Sequence, residues 1–551
     1  LTASADGDYT VLQNADGSLV VRFKNIENFV IAGDSYVQIS QASNPISPVY
    51  YQDPSNHSPS QSEYFGFNDQ ITSSYISESN NVVVMYPFGD LKGSNFDWSV
   101  INYTPSLSEL LDLNSEITIL GTPFNDSFIA NSYNNNAFSI LMGDGIDIVN
   151  LSQSYGVDTV DLGADDDYLY VVKDLNPYTY DPAMYPEMSS SVDFTDDNLL
   201  DGGEGIDWII INTVNDYNNT GSEGVEYTIN DGNTAGFENI QATEFDDVIT
   251  GDVFDNVIYA GLGSDIVYGL GGDDTLMGAY SDNNWSSDDN DGADLLFGGA
   301  GDDTFTGASS ARFQSADVLT GGAGTDTLTA KITGTITPTI DEIEVLNLDA
   351  TATASIDGAT ISSEATTVNV SGGNTLTYLA QDSEVFTVSE ASTGLTVTRT
   401  ATDTTSDAIT VTVNAGALGT LTLGSAAAGA DYETFNIVVG GAGSATLTEG
   451  GTAALADTGD KVVVTGTGDY TLNIAGAALG ANTATTNAVA ADVSGAGHTG
   501  ALTVDIGALG ANEFFEASKL AGFVILAYKI KNHEIRFNRY WFWSWRIYCC
   551  S

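Results

Sequence analysis

The chain has 551 residues, enough for three or four domains and a sizeable buried core. Its 14 Lys and Arg stand against 75 Asp and Glu, a formal net charge of −61. Such a field repels phosphate backbones and anionic membrane surfaces, so it excludes nucleic acid as a partner and favours divalent cations.

Acidity of this size often signals disorder, but hydrophobic residues make up 42% and aromatics 10%, spread in short runs. Such a chain folds once its carboxylates are neutralised, and calcium, which prefers oxygen ligands, is the expected neutraliser. Cysteine is absent before Cys549, so metal ions rather than disulfides are expected to stabilise the fold. No apolar run is long enough to span a bilayer, so no transmembrane segment is predicted. The chain opens at Leu1 without a signal peptide, which fits a mature form, a fragment or a C-terminal secretion signal.

Residues 1–118 read as an N-terminal β domain of unassigned role, with strand patterns at Leu19–Phe23 and Val82–Tyr86. The stretch from Tyr50 to Phe67, rich in Tyr, Ser, Asn and Pro, reads as a long surface loop whose tyrosines either stack on sugars or, more commonly, pack the loop onto a sheet. Residues 119–241 hold imperfect calcium-type turns joined by short apolar strands. These are Gly143-Asp144-Gly145-Ile146-Asp147, Gly163-Ala164-Asp165-Asp166-Asp167 and Gly202-Gly203-Glu204-Gly205-Ile206-Asp207.

Residues 242–329 are regular. Aligned in nines they read 242–250, 251–259, 260–268, 269–277, 289–297, 298–306, 312–320 and 321–329. Each block ends in an acid (Asn in one), any residue, then an aliphatic or aromatic, as in Asp303-Thr304-Phe305. Glycines ahead of the acid allow left-handed backbone angles, so carbonyl oxygens can turn inward within a six-residue loop. The sixth residue adds a carboxylate and the eighth points into a narrow core. One such turn cannot bury its strand alone, so neighbours must stack.

The candidate metal-site residues are therefore Asp247, Asn256, Asp265, Asp274, Asp294, Asp303, Asp317 and Asp326. With them go the glycines Gly261, Gly263, Gly269, Gly272, Gly292, Gly298, Gly299, Gly301, Gly321, Gly322 and Gly324. Upstream, Gly143, Gly145 and Asp147, and Gly202, Gly203, Gly205 and Asp207, are expected to do the same. Several Ca²⁺ ions follow as cofactors. The first two blocks lack the leading glycines, Asn256 replaces an Asp and Gly278 to Asp288 is a loop, so the outer sites are expected to be weak or empty. An EF-hand reading of 288–292 fails because Ser287 and Gly298 fall on its first and twelfth ligand positions.

This pattern resembles the RTX calcium-binding nonapeptide family. The resemblance implies an all-β fold, a parallel β-roll with two nonapeptides per coil, and ions held between turns 18 residues apart. Asp247 would then stack with Asp265, and Asn256 with Asp274. Past the insertions around Trp285 and Ser310, Asp265 would pair with Asp294, Asp274 with Asp303, Asp294 with Asp317, and Asp303 with Asp326.

Residues 330–518 turn to Thr, Ala, Gly and Val with no helical periodicity, the texture of further β-solenoid or β-sandwich domains. The segments Ile343-Glu344-Val345-Leu346-Asn347-Leu348, Val493-Ser494-Gly495 and Thr499 to Val504 are similar to Thr/Ala-rich domains of bacterial surface-layer proteins. Asn25 to Phe29 and Phe237 to Ile240 share the texture of the first of these. Residues 519–551 form an anomalous tail with six of the 14 basic residues, three Trp and both Cys, read as lying outside the fold.

Catalytic motifs are missing. The chain holds three His, namely His57, His498 and His533, with no H-E-x-x-H pair and no G-x-S-x-G elbow. Arg22, Arg312 and Arg399 are the arginines before the tail, and no acid pair stands out for glycoside hydrolysis. The expectation is a non-enzymatic, extracellular structural protein of the bacterial cell surface that folds on calcium after type I secretion. It would associate with itself through calcium, and a cell-surface polysaccharide is a candidate partner. An RTX adhesin segment or a secreted polysaccharide-acting enzyme is the alternative. An ice-binding Thr array, suggested by Thr410-Thr412 and Thr420-Thr422, ranks third, since alternate threonines are ordinary in strands.

Overall fold

A computed structural model describes side chains chiefly over 117–130, 137–172, 197–212, 224–279, 292–307, 313–350 and 365–372, and in shorter stretches up to 472. Before 117 and after 472 only backbone strands are described. The loop at 50–67, the insert around Trp285, His57, and the side chains of His498 and of the basic tail lie outside the described residues. Among the described residues there is no helix: every regular element is a strand. The chain divides into two units, Leu1–Gly292 and Ala293–Ser551.

The first unit begins with antiparallel pairing. Thr2–Asp6, Tyr9–Gln13 and Leu19–Phe23 form one meander, and Asn28–Ile31, Asp34–Ser40, Ser73–Ser77 and Val82–Val84 another. At Val82–Val84 the hand-over occurs, because this strand pairs in parallel with Ile117–Leu120. From there on successive strands alternate between two sheets, and each pairs in parallel with the strand one coil later. One file runs Ser127–Asn131, Ile148–Gln153, Tyr168–Lys173, Trp208–Thr213, Asn239–Gln241, Val257–Gly261 and Thr275–Ala279. On the opposite side Phe138–Asp144, Thr159–Ala164 and Leu199–Glu204 stack, and Glu226–Thr228, Val248–Thr250 and Ile266–Gly271 do the same. This is the expected parallel β-solenoid with two nonapeptides per coil.

The period of two along each strand fixes what is inside. The eighth residues of the blocks, Ile249, Ile258, Val267 and Leu276, are fully buried. Each contributes on the order of 2 kcal/mol through burial of its side chain. Their neighbours at positions seven and nine face outward. In one place outward residues are buried as well: Trp208, Ile210, Tyr259 and Met277 form a second apolar cluster, with Tyr168, Tyr170 and Val257 against it. Composition alone gave no hint of this outer cluster.

In the second unit, Leu295–Ala300, Val318–Ala323 and Thr339–Asp341 stack in parallel on one side. On the other, Thr304–Gly307, Thr327–Ile336, Val345–Ile356, Thr367–Ser371, Val385–Val388, Ala408–Val413, Thr434–Val439 and Lys461–Gly466 form one parallel file. Leu296, Phe305, Leu319 and Leu328 occupy the inward eighth positions. Beyond 330 the same inward alternation continues at Val368, Val370, Phe386, Val388, Ile409, Val411 and Val413, all buried. Thr410 and Thr412 fall between these buried positions and are half-buried.

Candidate metal centre

The turns that join the strands carry the acids. In each, the sixth residue ends the turn, and its side chain folds back beneath the main chain. The carboxylate of Asp265 accepts the main-chain N–H of Asp247 at 2.8 Å, and that of Asp274 accepts the N–H of Asn256 at 2.8 Å. Within the second unit, Asp317 accepts from Asp294 at 3.3 Å and Asp326 from Asp303 at 2.7 Å. Four of the expected stacked pairs are thus formed, all by the same contact: a carboxylate reaches back one coil to a buried N–H.

The ladder runs further than the nonapeptides. Asp147 accepts the N–H of Asp126, Asp167 that of Asp147, and Asp207 that of Asp167, at 2.6 to 2.7 Å. On the opposite side Asp158 accepts from Phe138 and Asp197 from Asp158, both at 2.8 Å. Glutamates then take the place of aspartates: Glu238 accepts from Asp207 and Glu344 from Asp326, each at 2.8 Å. Sequence reasoning missed Asp126, Asp158, Asp197, Glu238 and Glu344, and marked the turn 163–167 without selecting Asp167. Glu344 was findable, because it lies 18 residues after Asp326 and just ahead of a strand.

A second ladder, also missed, occupies position five and runs the other way. Asp246 accepts the N–H of Ser264, Asp255 that of Asp273, and Asp302 that of Thr325, at 2.7 to 2.9 Å. Here the earlier coil supplies the acceptor and the later one the donor. These contacts are exposed, whereas those of the first ladder are buried or part-buried.

The glycines divide into two kinds. At positions two and four, Gly299, Gly301, Gly322 and Gly324 have φ of 119°, 140°, 115° and 154°, a region that L side chains avoid. Those at position one have ordinary angles, but a Cβ on Gly298 would collide with Oδ2 of Asp303, and one on Gly321 with Oδ2 of Asp326. They make room for the carboxylate. Two positions depart from the rule: Leu270 at position two and Asp165 at position four hold φ of 78° and 84° without being glycine.

A family model described as the RTX calcium-binding nonapeptide repeat matches residues 234–278, 288–311 and 314–331, in four copies. The chain carries RTX calcium-binding repeats. No curated protein matches the chain. The RTX match begins upstream of block 242–250 and takes in Glu238, the rung that the alignment in nines left out.

The turns, both upstream of the RTX match and within it, offer oxygens that fit a calcium ion. One oxygen of each ladder carboxylate is used by the rung before it, while the other, Oδ2 of Asp147, Asp167, Asp207 and Asp326, is buried with no hydrogen-bond partner. A buried anionic oxygen without a partner is costly unless a cation meets it. Burial, together with neighbouring acids, pushes Asp147 up to about 10, Asp167 to about 8, Asp207 to about 7 and Asp326 to about 6. Among the described residues no three His, Cys, Asp or Glu side chains converge. The oxygens on offer are accordingly one carboxylate per turn and the main-chain carbonyls of the stacked glycines, which suits a hard cation with many oxygen ligands. When bound, calcium supplies the positive charge that these carboxylates lack.

Repeats of this kind typically belong to secreted proteins. Among the described residues no helix is long and apolar enough to cross a membrane.

Proposed function

We propose that this protein is a calcium-dependent structural component of the bacterial cell surface, assembling with copies of itself in the manner of a surface layer. The observation that carries the reading is the set of buried, partnerless Oδ2 atoms in stacked turns of a chain of net charge −61. Where free calcium is scarce the turns repel one another and the chain stays extended and exportable. Outside the cell, millimolar calcium occupies the turns and stacks the roll, so binding energy becomes folding energy. Remaining surface acids offer calcium bridges between neighbouring copies or to a cell-surface polysaccharide. No catalytic role is proposed, since neither a zinc pair nor a nucleophile elbow occurs in the sequence.

The test is a calcium titration of the full chain followed by circular dichroism and negative-stain microscopy. Cooperative gain of β-structure followed by sheets or filaments supports the reading. Calcium-dependent folding without assembly replaces the structural role with that of an adhesin segment. A chain fully folded in excess chelator overturns it.

A further inference from the structure

The eight nonapeptide turns are not equivalent. In turn 242–247 both oxygens of Asp247 are engaged by the protein. The main-chain N–H of Val225 donates to Oδ1 at 2.6 Å, and the N–H of Thr243 to Oδ2 at 2.7 Å. The Thr243 hydroxyl lies 2.9 Å from both oxygens. In turn 312–317 the N–H of Gln314 donates to Oδ2 of Asp317 at 2.6 Å, while that of Asp294 takes Oδ1. In turn 251–256 the side chain is a neutral carboxamide. Asn256 Oδ1 accepts the N–H of Asp252 at 2.9 Å, and Nδ2 donates to the main-chain carbonyl of Glu238 at 2.9 Å.

All three turns lack glycine at positions two and four, where Thr243 and Phe245, Asp252 and Phe254, and Phe313 and Ser315 stand instead. A donor drawn from within the turn thus takes the place that a cation would fill. Asp326 presents the opposite case: its turn holds Gly322 and Gly324, and its Oδ2 is buried without a partner.

We infer that turns 242–247, 251–256 and 312–317 hold no calcium and are closed by the protein's own donors. The first two are consecutive, so they form one complete metal-independent coil at the head of the regular repeat. That coil is a template on which calcium-requiring coils stack, and it confines the ions to the glycine-bearing turns. This inference rests on the calcium reading given above, and it can fail while that reading stands.

The experiment counts bound calcium by equilibrium dialysis on the full chain and on four variants. Asp207→Asn and Asp326→Asn should each lose at least one ion per chain, while Asp247→Asn and Asp317→Asn should keep the wild-type number. Loss of an ion from either of the second pair overturns the inference. A wild-type chain that binds none overturns the calcium reading itself and this inference with it. Hydrogen exchange of the wild-type chain across the same titration gives a readout free of misfolded variants. The Thr243 and Gln314 amides should be protected at calcium levels below those that protect the Asp303 amide, and protection of all three in one calcium step would overturn the inference.

Discussion

The carboxylate of Asp207 accepts the main-chain N–H of Asp167 at 2.7 Å although 40 residues separate them, the same contact that Asp265 makes with Asp247 over 18. The rung is therefore a property of the stacked turn and not of the residue count between turns. It couples each coil to the one before it through a charge-assisted hydrogen bond shielded from water, the stronger sort of hydrogen bond.

Removing one rung should be costly locally. Asp326→Ala leaves the buried N–H of Asp303 without an acceptor and removes a carboxylate that calcium would meet. A destabilisation of about 2 to 3 kcal/mol is expected in saturating calcium, read from chemical denaturation followed by circular dichroism.

The pH dependence without metal should run opposite to that of most acidic proteins. Folding raises Asp147, Asp167, Asp207 and Asp326 from 3.8 to about 10, 8, 7 and 6, chiefly by burial. A carboxyl raised on folding binds more protons in the folded state. Its stabilising contribution is complete below 3.8 and disappears as pH climbs through the folded values, from about 6 to about 10. In chelator, acidification from pH 8 to pH 4.5 should therefore increase β-structure. In calcium the same acidification should weaken binding, because protons and metal compete for one oxygen. Circular dichroism and a calcium electrode across this range check both arms.

Leu270 holds a left-handed backbone at φ 78° and is half exposed. Glycine removes the steric cost of that conformation and adds some unfolded-state entropy. Leu270→Gly should stabilise the calcium-loaded chain by about 1 kcal/mol, measured as a rise in denaturant midpoint at unchanged slope.

The reverse change at an equivalent turn should fail. At Gly322 the φ is 115° and an added Cβ would strike the carbonyl oxygen of Gly299 in the coil before it. Gly322→Ala should cost about 2 kcal/mol or more and should lower the apparent calcium affinity of that turn, read by isothermal titration.

Much of this was legible in the sequence, because the nonapeptide states its own geometry. The Asp-x-aliphatic ending fixed which residue turns in, and Ile249, Val267, Leu276 and Phe305 are all buried as that ending requires. Spacings of 18 identified which acids stack, and Asp294 with Asp317 and Asp303 with Asp326 pair across 23 residues as the five-residue insertion demanded. What was not legible depends on atoms that belong to no repeat unit. The reversed ladder at position five needs Asp246, Asp255 and Asp302 to meet main-chain donors of the following coil, and nothing in a single block marks it. Asp247 and Asp326 look alike in the alignment, yet Thr243 satisfies one and no protein donor reaches Oδ2 of the other. That difference arises four residues ahead of the acid, at a position where the alignment records only a missing glycine.

The two opposed ladders also give the roll a direction. At position six the later coil supplies the buried acceptor, so the N–H of Asp303 depends on Asp326 and that of Asp126 on Asp147. Excising a coil deprives its upstream neighbour of a carboxylate acceptor, while the downstream neighbour loses the exposed contact at position five and a main-chain acceptor, as Thr327 would lose the carbonyl of Asp303 that it meets at 2.8 Å. A cut in such a scaffold is therefore felt on both sides, through a side-chain acceptor lost upstream and a main-chain acceptor lost downstream.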